Sequence, residues 1–104
     1  MQETLTSVAP EIVELIERAI REHMSPLEPR AIDVRAAEDH AGEPAIFIEA
    51  RYDLIGAPVD MRYASSILTP LRDLLWERGE RRFPYVRHLF DERQIFKTSK
   101  RVNP

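Results

Sequence analysis

The chain reads as a small single α+β domain in which two helices pack on one face of a three-stranded antiparallel sheet, in the order α-β-β-α-β. Two observations predict this. From Asp60 to Gly79, residues Ala64, Ile67, Leu68, Leu71, Leu74 and Leu75 recur at three- and four-residue steps, the spacing of one helix face. Ahead of that stretch, residues 31–37 and 44–54 alternate apolar and polar side chains, the period of half-buried strands.

The first helix is expected from a Ser7 or Thr6 cap, with Pro10 tolerated in its opening turn. Ile12, Val13, Leu15, Ile16, Ala19 and Ile20 form its apolar face, and it ends before Pro26. Ile32, Val34 and Ala36 then point one way and Asp33, Arg35 and Ala37 the other. The second strand sets Ile46, Ile48, Ala50 and Tyr52 against Phe47, Glu49, Arg51 and Asp53. The polar residues from Glu38 to Glu43, with Gly42 among them, suit the hairpin loop between the two strands. Gly56-Ala57-Pro58 breaks the chain before the long helix, which Asp60 caps and Gly79 ends. Pro70 falls inside this helix and either kinks it or, with Thr69 as a fresh cap, restarts it; the apolar register running through the proline favours one kinked helix. Aromatic and β-branched content over Tyr85 to Phe90 favours a third strand over a short helix. Residues 1–6 and 97–104 are read as mobile tails of the one domain, 1–104.

Among the 104 residues there is no cysteine, which removes disulfides, thiolate metal sites and a cysteine nucleophile. No basic start followed by an apolar run is present, and no apolar stretch is long enough to span a membrane, so a cytoplasmic location is expected. Residues 1–59 carry 5 basic and 12 acidic side chains, whereas residues 60–104 carry 10 and 6. Such asymmetry marks either a basic contact surface or charges that interleave once the halves fold together.

No catalytic, cofactor or metal site is read from the chain. Glu38, Asp39, His40 and Glu43 are clustered, but their spacing matches no ligand motif. Ser65 and Ser66 lie in a helix without the glycine-flanked elbow that exposes a nucleophile. The three glycines are isolated and build no phosphate loop. Arg78, Arg81, Arg82, Arg87, Arg93, Lys97, Lys100 and Arg101, interleaved with Phe83, Tyr85, His88 and Phe96, offer phosphate and base contacts. The acidic neighbours Glu77, Glu80, Asp91 and Glu92 and a pI near 5.6 weigh against a dedicated nucleic-acid binder. Tyr52, Tyr63, Trp76 and Arg82 are of types enriched at protein interfaces, although Trp76 fits the core better. The expected function is a non-catalytic protein-interaction or regulatory module, a homo-oligomer or one half of a complex. The alternative is a nucleic-acid-binding accessory protein whose contacts are Arg78, Arg81, Arg82, Arg87 and Tyr85.

Overall fold

In the computed structural model, residues 7–53 and 60–91 are described. The expected tails, the Gly56-Ala57-Pro58 breaker and the basic run beyond Asp91 lie outside them. Helix α1 (Pro10–Met24) is followed by strands β1 (Ala31–Glu38) and β2 (Pro44–Asp53), helices α2 (Met61–Ser65) and α3 (Leu68–Glu77), and strand β3 (Phe83–Asp91). No helix among the described residues is long and apolar enough to cross a membrane.

The cap of α1 differs from the expectation. Ala9, not Ser7, occupies the N-cap and makes no side-chain bond, while Pro10 opens the helix, where its missing N–H has no intrahelical partner. Ile12, Leu15, Ile16, Ile20 and Met24 are buried along one side.

Pro70 does more than kink the long helix; it splits it. An α-helical Pro70 would leave the Ser66 carbonyl without a donor and drive its ring against that carbonyl. The chain breaks at Ser66–Ile67, four and three positions earlier, and α3 restarts with Pro70 as its third residue. The apolar register survives the break, since Ala64, Ile67, Leu71 and Leu75 are all buried. Asp60 caps α2 as expected, accepting from the N–H groups of Arg62 at 3.0 Å and Tyr63 at 3.4 Å. At the far end of α3 the N–H of Gly79 donates to the Trp76 carbonyl and that of Glu80 to the Leu75 carbonyl. This closure requires the left-handed φ of +83° at Gly79. Gly79→Ala is therefore expected to cost about 1 kcal/mol, read as a lower urea midpoint with unchanged slope.

The sheet has the order β1-β2-β3, and it is mixed rather than antiparallel. β1 and β2 form the antiparallel hairpin, with Val34 opposite Ile48. β3 instead runs parallel to β2, from Ala45↔Phe83 to Asp53↔Asp91. The reason is topological. A helical crossover carries the chain back to the end of the sheet where β2 began, so the next strand must run alongside it.

The three described helices lie on one face. Ile46, Ile48, Ala50 and Tyr52 of β2 are buried beneath them, with Ile32, Val34, Val86 and Phe90 packed at the margins. Apolar burial of this extent drives the folding of a domain of this size.

Candidate functional site

The opposite face of the sheet carries no helix among the described residues, and it forms a concavity of about 690 Å³. Strand alternation decides which side chains stand there. Register places Arg35, Phe47 and Tyr85 in one row across β1, β2 and β3, and Asp33, Glu49 and Arg87 in the next. Phe47 and Tyr85 stack with centroids 5.1 Å apart at 14°. The Arg35 guanidinium lies 5.3 Å from the Phe47 ring centre, and Phe83 meets Tyr85 edge-on at 4.7 Å.

Electrostatically the face is balanced. Glu49 is bracketed by two arginines, with Arg51 at 3.2 Å and Arg87 at 3.5 Å. Tyr85 donates its hydroxyl proton to Asp39 in the hairpin loop at 2.9 Å, which raises its own pKa above the ordinary tyrosine value. Asp39 also accepts from the N–H groups of Ala41 and Glu43 at 2.9 Å each. The Glu43 bond is the main reason its carboxyl titrates below the usual range. Asp39 thus holds the loop and orients Tyr85.

The sequence-nominated residues do not form one surface. Tyr85 and Arg87 stand on the open face, and Arg87 is 70% exposed. Arg78 caps α3 at its C-terminus, and Arg81 stacks 4.3 Å from the Trp76 ring centre on the helix side. Trp76 is 59% exposed rather than core, whereas Tyr52 is fully buried and unavailable to a partner. Arg82 is engaged in structure: its Nε and Nη2 grip both oxygens of Glu80 at 2.7 and 2.9 Å, and its Nη1 donates to the Ser7 carbonyl at 3.0 Å. These bonds hold the Glu80 carboxyl below its ordinary value.

Asp39 and Glu80 share one sign: a depressed native pKa makes a stability contribution that is present above the unfolded carboxylate range and lost as pH falls through it. The thermal midpoint should drop below about pH 4, and Glu80→Gln should flatten part of that drop.

Sequence reasoning missed Arg35 and Phe47 as site members, and it read His88 as a surface contact rather than a buried one. The signal for the first two was present, because they occupy the polar-side positions of their strands. His88 sits on the helix side of β3, with Nδ1 3.0 Å from the Tyr52 hydroxyl. Its Nε2 is buried without a hydrogen bond of ordinary geometry. Burial pulls its pKa below the histidine norm, with the Ala64 carbonyl opposing this more weakly. Tyr52 is pushed up to about 12 by the same loss of water.

Ser66 is not a nucleophile in waiting. Its Oγ donates to the Tyr63 carbonyl at 2.6 Å, and His23 Nε2 lies 2.7 Å from that same oxygen. An Nε2–H that donates there cannot also accept the serine proton. With the His23 and Tyr63 rings stacked at 4.4 Å, the cluster fastens α1 to α2.

Compared with protein families, with curated proteins and with solved structures, the chain finds no match in any of the three.

Proposed function

We propose that this domain is a non-catalytic interaction module that pairs with a second copy of itself through the open face of the sheet. The observation that carries the reading is the charge and aromatic pattern of that face. Lay two copies face to face about a twofold axis parallel to the strands, and β1 of each lies over β3 of the other. Asp33 then meets the partner's Arg87, Arg35 meets the partner's Tyr85, and the two Phe47 rings meet near the axis. Glu49 falls opposite the partner's Glu49 in the same arrangement, each offset by Arg51 and Arg87 of its own chain, so the complementarity rests on the Asp33–Arg87 and Arg35–Tyr85 meetings. Aromatic residues and arginine at the centre with charges around them is the usual composition of a protein interface.

Nucleic acid fits less well. Phe47 already has Arg35 on one face and Tyr85 on the other, so no free ring face remains for a base. Glu49 neutralises the arginines a phosphate would need.

Size sets the strength. Three strands about 4.8 Å apart and about 30 Å long give a footprint of roughly 450 Å². A standard interface uses about 800 Å² per partner, so this face falls among the small interfaces typical of weak, transient association.

A charge swap tests the geometry. Asp33→Arg and Arg87→Asp should each shift the light-scattering mass toward monomer at concentrations where the parent is dimeric. The Asp33→Arg/Arg87→Asp double variant should recover the dimer. Failure of the double variant to recover would discard this twofold. Nucleic acid co-eluting at low salt and lost from the Arg87→Asp protein would favour the alternative.

A further inference from the structure

We infer that the outer flank of α3 is a second binding site, one that takes an acidic segment of another protein in which carboxylates alternate with apolar side chains. The site is a ladder of rings and guanidinium groups. Leu71 and Leu75 face the core, and the next strip round the helix sets Arg72 beside Trp76 at i,i+4. The Arg72 guanidinium lies over the Phe83 ring, 5.5 Å from its centre, and the Arg81 guanidinium over Trp76 at 4.3 Å. Taken in order, Phe83, Arg72, Trp76 and Arg81 alternate ring and cation. The turn that closes α3 at Gly79 is what carries Arg81 back onto the indole.

Charge and exposure together define the occupant. Trp76 is 59% exposed, so it offers apolar surface to a partner, and tryptophan and arginine are the residues that most often anchor interfaces. Among the described residues no carboxylate pairs with Arg72 or Arg81, whereas the adjacent Arg82 is neutralised by Glu80 at 2.7 Å. A guanidinium lying over a ring keeps N–H groups free at its edge, where they fit the two oxygens of a carboxylate. The occupant must therefore bring carboxylates to two points and an apolar side chain to the indole between them.

A nucleic acid meets these demands less well. Asp73 and Glu77 form the following strip of α3, both exposed and, among the described residues, without an ion-pair partner. The unbroken charge of a phosphate backbone laid along the ladder is repelled there. A peptide avoids the repulsion, because its carboxylates are discrete and its intervening side chains can be uncharged. This site does not depend on the open-face dimer: Arg72, Trp76 and Arg81 lie on the helix side of the sheet.

Trp76 is the chain's single tryptophan, so its emission reports the site directly. The test titrates the protein with an end-blocked hexapeptide of alternating glutamate and leucine, with a lysine–leucine twin and with hexathymidylate. The glutamate peptide should change the emission saturably, and the twin should not. Anisotropy of a labelled peptide reads the variants, since Arg81→Glu itself alters the surroundings of the indole. Arg72→Glu and Arg81→Glu should each weaken binding about tenfold or more, while Arg87→Glu on the open face should bind as the parent does. Arg72→Lys, which keeps the charge and loses the fork, should fall between. No saturable change in the parent, equal binding of the lysine twin, or tighter binding of hexathymidylate would each overturn the inference. So would a lower light-scattering mass of the peptide-free Arg72→Glu or Arg81→Glu protein, which would give this flank to a second copy of the chain.

Discussion

Ile48→Ala is expected to remove about 2–5 kcal/mol of stability, a large share of the roughly 5–15 kcal/mol available to a domain of this size. Ile48 is 1% exposed at the centre of the middle strand, flanked by Val34 on β1 and Val86 on β3. The flanking strands are hydrogen-bonded in register, so their backbones cannot close on the cavity and only the side chains packed above it can relax. Urea unfolding should show the midpoint fall with the slope retained. The adjacent residue gives the contrast. Phe47→Ala touches only the open face, so its stability cost should stay below that of Ile48→Ala while dimer formation weakens. Equal costs at the two positions would mean that the open face is a second core, covered in solution by something else.

Tyr52→Phe should cost about 1–3 kcal/mol although it removes a single oxygen. The hydroxyl is the partner of His88 Nδ1, and its loss leaves a buried imidazole nitrogen without a hydrogen bond. The change also alters the pH profile, with signs that can be fixed in advance. The native Tyr52 pKa is raised to about 12, so its contribution is present below the ordinary value of 10 and lost as pH climbs toward 12. The native His88 pKa is depressed, so its contribution is present above about 6.5 and lost as pH falls. In Tyr52→Phe the alkaline loss owed to this residue should vanish and the acid-side loss should persist. Thermal midpoints from pH 5 to 11 would read both.

Much of this fold was legible in the sequence. Period-two alternation placed β1 and β2 within a residue of their observed bounds, because each strand has one wet and one dry face. Asp60 and Gly79 were readable as helix ends because caps depend on local chemistry. The direction of β3 was misread, although a strand, a helix and a strand in succession is itself the signature of a parallel pair. The effect of Pro70 was underestimated: a ring that clashes four residues back breaks the helix at Ser66, not at the proline.

The candidate site was less readable. Arg78, Arg81, Arg82 and Arg87 look like one basic run, yet α3, its closing turn and β3 send them in different directions. Whether Arg82 would be free or held by Glu80 depends on a turn that brings the pair together. Arg35, Phe47 and Tyr85 lie far apart in sequence and meet only through register, which alternation alone does not supply.

The two halves of the sheet also differ in what they demand of the chain as it is made. Partners in the β1–β2 hairpin are between 6 and 20 positions apart, whereas every β2–β3 pair is separated by 38. The hairpin can therefore close early and locally, while β3 must wait for the whole helical crossover. During synthesis the central strand has one edge bare until β3, beyond the crossover, has itself emerged. Over that interval β2, the most buried strand of the finished domain, is its most aggregation-prone segment.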